Sequence, residues 1–409
     1  MGIAFSYSHL YLFHVVLLVS LISIPSIATK AEIWRVVKKL KYLILLYLWY
    51  LLSLAWTLDI TKGIKYFIII CMGGSLIFLY PLLVKSKRDF ILVLKTGGVV
   101  GVLQIVIGLL EHFTTFRWPI SKYSTYNHWF GISHIEDIKI LESDYTMSFP
   151  TGLSWGPNDY GVMMCIFLTF VLFSHINRWL KLSIVLLLVL NIHFTISSSA
   201  LLGALLICVI FVFMKIKNKL LIFFLIFICV SGFILNSELR NRFSETSLFL
   251  SKILQTDFYS QLEPLQSKRA IYLRAYWYQE AFKAAIKHPI NGMGIASSSA
   301  ASIFPKTNGN MNLHFFFLEI LVDVGLIGFS IFILMYIFNL KQLCKVFYLN
   351  KDKLLNTIAI SIAVFLAIFP LSSIALSSGS YFLPWFLLVG MGTSLIVYAE
   401  KIRDVAENV

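Results

Sequence analysis

Apolar runs close to 20 residues long recur along this chain. Each is as long as a helix rising 1.5 Å per residue needs to cross the ~30 Å hydrocarbon core of a bilayer. About eleven can be drawn, at 9–27, 41–57, 65–84, 90–110, 158–174, 179–196, 198–215, 219–236, 314–340, 355–376 and 381–399. Only the serines from Ser197 to Ser199 divide the sixth run from the seventh, so that boundary is the least sharp. None alternates polar and apolar at every second residue, as a membrane β-barrel strand must. With 13% charged residues, the chain falls far below the roughly one quarter that a soluble surface needs. The expected fold is therefore an all-α polytopic membrane protein.

The formal net charge of +14 sits in alternate short loops and the tail, which argues against a nucleic-acid partner. The bases are Lys30, Arg35, Lys38, Lys39 and Lys41; Lys85, Lys87 and Arg88; Arg178 and Lys181; Lys215, Lys217 and Lys219; Lys341, Lys345, Lys351 and Lys353; Lys401 and Arg403. Short loops rich in Lys and Arg face the cytoplasm. An N-terminus outside, a C-terminus inside and an odd number of spans follow. No positive stretch precedes the first apolar run, so no cleavable signal peptide is expected. Cys71, Cys165, Cys208 and Cys229 fall within apolar runs and Cys344 on the basic side, where small core side chains are expected rather than disulfides.

Two connections are too long for connectors, and both fall on the outer side. The chain then reads as spans 1–4 (1–110), a first outer loop (111–157), spans 5–8 (158–236), a large second outer loop (237–313), and spans 9–11 with a cytoplasmic tail (314–409). Both loops are rich in Tyr, Trp, Phe, Leu and Ile, which argues for order and function. The first is net acidic, with Glu111, Glu136, Asp137, Glu142 and Asp144 against Arg117, Lys122 and Lys139. Its His128, His134 and Glu136 match no standard metal-ligand spacing. It closes at Gly152, Gly156 and Pro157, after which Asn158 and Asp159 offer an N-cap to the fifth span. The second loop is net basic, which suits an anionic ligand such as a phosphate.

Within that loop, the residues from Ala270 to Lys287 favour a helix ended by Pro289 and Gly292. Helical spacing puts Arg274, Trp277, Tyr278, Ala281, Ala285 and His288 on one face, and Glu280, Lys283 and Lys287 on the other. Arg274 on the apolar face needs an anionic partner, either a protein carboxylate or a ligand phosphate. His314, at the outer edge of the ninth span, suits proton abstraction from a hydroxyl near neutral pH. Glu319 and Asp323 lie deeper, as intramembrane carboxylates that serve either function or helix packing. Gly325 and Gly328 permit close helix approach.

These residues resemble the bacterial O-antigen polymerase and O-antigen ligase superfamily. Its pattern of an Arg, an aromatic four residues on, an Ala and then HPxxGxG is matched by Arg274, Tyr278, Ala281, His288, Pro289, Gly292 and Gly294. Its pattern of a His, nine further residues after the next one, and GxxG is matched by His314, Gly325 and Gly328. Its GxxxxPN element is matched by Gly152, Pro157 and Asn158. Two departures stand out. Phe315 replaces the usual polar residue after the His, and Thr195, Ile196, Ser197 and Ser198 lack the Arg of a common Thr-x-Ser-Arg element, for which Arg269 is the candidate substitute.

The resemblance implies a metal-independent, cofactor-free glycosyltransferase in the bacterial cytoplasmic membrane, with its active face outward. The donor would be an undecaprenyl-diphosphate-linked glycan within the membrane lipid. It further implies His314 as base, Arg274 as diphosphate ligand and leaving-group stabiliser, and Arg269 as a second diphosphate contact. His288, Glu319, Asp323 and Asn158 stand behind them, with His288 reading equally well as a helix C-cap. Gly292, Gly294, Gly325 and Gly328 would be structural. A polymerase of polysaccharide repeat units, with a chain-length regulator as candidate partner, is the first expectation. A ligase to lipid A–core is the second. A flippase or other transporter is the third, although no internal repeat of spans is found.

Overall fold

The computed structural model describes residues 12–121, 123, 124, 126, 149–215, 270–300, 302–304, 313–350, 352–376 and 382–407. All regular structure among them is helical: α1 (Leu12–Ile22), α2 (Ile24–Ile27), α3 (Lys30–Lys39), α4 (Lys41–Ser53), α5 (Ile60–Leu83), α6 (Lys87–Phe113), α7 (Pro157–Phe173), α8 (Arg178–Phe194), α9 (Ser198–Lys215), α10 (Ala270–Lys287), α11 (Phe316–Leu349), α12 (Lys353–Ser372) and α13 (Leu383–Glu407). Six of the described helices are long and apolar enough to cross a membrane, or up to seven if the bent pair Lys30–Lys39 and Lys41–Trp56 is one span. The chain is an all-helical, multi-pass membrane protein. The expected eighth span, at 219–236, lies outside the described residues, as do Arg269, His128, His134 and Glu136.

The chain divides into two compact units, of residues 1–45, 68–207 and 332–409, and of residues 46–67 and 208–331. In the first, α7 packs against α8 and α12 and carries buried residues on every side, including Tyr160, Val162, Met164 and Leu168. A helix apolar all round belongs in the middle of a bundle. Small residues let its neighbours close in: a Cβ on Gly161 would lie 2.8 Å from that of Ala200, and one on Gly203 would lie 3.2 Å from that of Ser372. By contrast α6 exposes Leu92, Val99, Val102 and Val106, as a lipid-facing stripe would.

Three expectations need correction. The basic stretch from Lys30, expected as a loop, is the helix α3. Thr29 and Glu32 form a reciprocal capping box at its start, which satisfies end donors that a loop would leave to water. The helix α7, expected as the fifth span, is capped by Gly156, with no side-chain hydrogen bond. Pro157, whose fixed φ suits the first helical position, moves the start ahead of Asn158, which becomes a half-buried residue of the first turn. The runs expected as spans six and seven separate at Ile196, between α8 and α9, a β-branched residue at φ 52°. Thr195 holds that turn, its hydroxyl donating to Ile192 O at 2.6 Å and accepting from Ser197 N at 3.2 Å.

The end of the first outer loop folds around a buried carboxylate. Glu111, fully buried at the end of α6, accepts from Thr151 N at 2.6 Å, Gly152 N at 2.7 Å and Trp118 N at 2.9 Å. Gln104, one helical face along, accepts from Leu153 N at 2.9 Å. Gly152 is left-handed at φ 55°, and a Cβ there would sit 2.3 Å from the Gln104 amide oxygen. Arg117 donates to the carbonyls of Glu111 and Phe116, closing the C-terminus of α6. Burial pushes the nearby Tyr123 hydroxyl up to about 12, against the downward pull of Arg117.

Candidate functional site

The second unit is organised by a break in α11. Gly325 adopts φ 63°, ψ −169°, which no helix contains. In a continuous helix the N–H groups of Leu326 and Ile327 would donate to the carbonyls of Val322 and Asp323. Here Leu326 N donates to Pro289 O at 2.8 Å and Ile327 N to Ile290 O at 3.2 Å. The two released carbonyls accept from Met293 N and Gly294 N, both at 2.9 Å. The next carbonyl, Val324 O, accepts from the Trp49 indole N–H at 2.9 Å. The groups freed at the break thus take partners from the loop after α10 and from α4, as buried backbone in lipid must.

Glycine is required where the two backbones meet. A Cβ on Gly292 (φ 70°) would lie 2.5 Å from Gly325 N and 2.6 Å from both C and O of Asp323. A Cβ on Gly325 would lie 2.4 Å from Gly292 N and from Ile290 O. Gly294, at φ 92°, faces the Cα of Thr57 in the same way at 2.4 Å. Gly328 makes room for Trp49 and Val324 side chains rather than for a second helix.

Asp323, 2% exposed, uses its carboxylate on the same loop. It accepts from Ser298 N at 2.7 Å and from Ala296 N at 3.1 Å, where Ala296 is left-handed at φ 63°. Residues distant in sequence complete the frame. Ser53 Oγ accepts from Ile295 N at 3.2 Å, Thr57 Oγ1 donates to Ile295 O at 2.5 Å, and Lys62 Nζ donates to Ser299 O at 2.9 Å. Glu319, one turn nearer the start of α11, is 3% exposed.

Helix α10 packs through Tyr276, Trp277, Ala281, Ala284 and Ala285 against Leu313, Leu318, Val322, Ile303 and Phe304. Lys283 pairs with Glu280 at 2.8 Å on the outward face. His314 precedes α11 instead of lying in it, because the helix starts at Phe316 and His314 adopts the left-handed φ of 54°. Its ring stacks on Trp277, with centroids 5.9 Å apart and planes at 27°. Arg274 lies three residues before Trp277, so its Cα is about 4.5 Å further along the helix axis. Phe315, the departure from the family pattern, sets its ring edge-on to Tyr278 at 6.0 Å. His288 was expected on the buried face, but it is exposed. The helix has ended at Lys287, and His288 closes it, its N–H donating to Ala284 O and its carbonyl accepting from Gly292 N, both at 3.1 Å.

Local sequence pattern missed Trp49, Ser53, Thr57, Lys62 and Trp277 as partners of this site. Only Trp277 carried a signal, its place on the apolar face of α10. The other four come from residues 49–62, more than 230 residues earlier, and nothing in their own neighbourhood marks them.

Residues 182–333 match the O-antigen ligase family, which places that part of the chain in the O-antigen ligase and polymerase superfamily. No curated protein matches the chain. Among the described residues, no three His, Cys, Asp or Glu side chains cluster as a metal site would.

Proposed function

We propose that this protein is a glycosyltransferase of the bacterial cytoplasmic membrane, with eleven spans and its working face outward. It transfers a glycan from an undecaprenyl-diphosphate carrier to a sugar hydroxyl of a second lipid-linked repeat unit. The observation that carries this reading is the stacking of His314 on Trp277, one turn from Arg274 on the same helix. In this reading His314 serves as the base and Arg274 as the cation, which activation of a hydroxyl against a diphosphate leaving group requires.

In this mechanism the acceptor oxygen attacks the anomeric carbon and gives its proton to His314. The bond from that carbon to the carrier diphosphate breaks, and its electron pair leaves with the diphosphate. Arg274, with Arg269, stabilises the charge that builds there. In this reading arginine supplies the charge that a metal supplies in other transferases.

A second reading, transfer to lipid A–core as a ligase, is favoured by the description of the matched family. The surface-glycan profile of a host carrying the parent chain, a deletion or His314→Ala separates the two. Loss of the ladder of long chains, with single repeats still attached, is expected for the polymerase. Long polymer stranded on the lipid carrier identifies the ligase. An unchanged profile in the deletion, in a host with no second copy, overturns both.

A further inference from the structure

A cavity of about 190 Å³ in the first unit lies between α3, the end of α5 and the last turns of α13. Its polar lining is Glu32, Arg35, Lys85, Ser394, Tyr398 and Lys401. Three of these are cations and one is an acid. Lys85 is engaged at 3.0 Å with Glu32 and at 2.9 Å with Ile27 O. Arg35 and Lys401 are exposed, and among the described residues neither makes a hydrogen bond or an ion pair. Glu32 is taken by Lys85, which leaves Arg35 and Lys401 lining the same cavity with no ion pair of their own among the described residues. The volume is below the ~300–1,000 Å³ of ordinary small-molecule sites, so it suits a phosphate group better than a sugar chain.

The setting identifies the source of that phosphate. The axis of α3 is bent by 73° from that of the apolar segment that follows it, so α3 leaves the direction of the span. It buries Val36 and leaves Trp34 60% exposed, with Lys38 5.7 Å from the indole centroid. A short amphipathic helix with basic residues and an exposed tryptophan lies at the headgroup level of a bilayer. The ion pair of Lys39 with Glu400, at 2.6 Å, ties α3 to α13 and keeps the two walls together.

We propose that this cavity is a binding site for the phosphodiester of an anionic phospholipid, held by Arg35 and Lys401 and supported by Lys85. The site serves the face that carries the basic loops, and it is separate from the chemistry assigned to His314.

Native mass spectrometry of the full chain in detergent tests this with three probes: phosphatidylglycerol, phosphatidylcholine and inorganic phosphate. One tightly held phosphatidylglycerol is expected, with phosphatidylcholine bound more weakly. The double variant Arg35→Gln, Lys401→Gln weakens phosphatidylglycerol binding roughly 25-fold, from about 1 kcal/mol per surface cation. A control, Lys341→Gln with Lys345→Gln, removes two exposed cations away from the cavity and leaves the affinity unchanged. Equal loss in the control reduces the effect to general surface charge and overturns the site. Equal binding of the two lipids also overturns it. Displacement of phosphatidylglycerol by millimolar inorganic phosphate overturns the lipid assignment in favour of a free anion.

Discussion

Substituting Gly292 by alanine tests the joint between α11 and the loop after α10. The new Cβ would meet three backbone atoms, Gly325 N at 2.5 Å and Asp323 C and O at 2.6 Å. Backbone cannot rotate aside as a side chain can, so the two segments must part by close to 1 Å to reach ordinary contact. That displacement stretches the bonds from Met293, Gly294, Leu326 and Ile327, which now measure 2.8–3.2 Å. Each contributes a net ~1 kcal/mol, and an alanine at φ 70° adds about 1 kcal/mol of strain. The expected loss is about 4–6 kcal/mol, most of the margin by which a domain is stable. For a unit of this size that lowers the melting midpoint of the purified protein by roughly 10–20 °C. Gly97→Ala and Gly98→Ala are the controls, since nothing lies within 4 Å of either new Cβ in α6 and helix propensity favours alanine by about 0.5–1 kcal/mol. A Gly292→Ala midpoint equal to that of the controls would refute the backbone exchange at Gly325.

Other substitutions separate structural from chemical roles. Asp323→Ala leaves the N–H groups of Ala296 and Ser298 without their acceptor, at about 2–3 kcal/mol. Asp323→Asn keeps one acceptor oxygen and recovers part of the midpoint and of the glycan ladder; a variant that melts normally but makes no polymer shows instead that Asp323 moves a proton. Glu111→Gln leaves three backbone donors, from Thr151, Gly152 and Trp118, competing for one amide oxygen. A cost of about 2–3 kcal/mol follows, read as a lower midpoint and faster proteolysis near residue 152, and an unchanged midpoint contradicts the buried-anion frame.

Several of the helices were legible in the sequence, because a 20-residue apolar run has few ways to satisfy its backbone in lipid. Ile60–Leu83, Ser198–Lys215 and Lys353–Ser372 all lie close to where their apolar runs placed them. The break at Gly325 was not legible, since its neighbours read as uninterrupted span. A glycine there is equally compatible with close helix packing, and only the distant partner loop decides between the two. The paired motifs, ending in Gly294 and in Gly328, were visible separately, but no local rule says that they bind each other. The frame from Ser53, Thr57 and Lys62 was hidden for the same reason: hydrogen bonds across some 240 residues leave no periodicity. His314 was assigned to a helix start from its hydropathic context, while its left-handed φ of 54° has no signature in the residues around it.

The hydrogen-bond exchange at Gly325 also acts as a length gauge. Four N–H groups and four carbonyls meet in fixed pairs between residues 289–294 and 322–327. Insert or delete one residue between Pro289 and Gly294, and donors slide opposite donors over part of the joint. Chain length in that short segment is therefore constrained as tightly as residue identity. Drift in this part of the chain should leave the spacing from His288 to Gly294 unaltered even where the side chains around it change.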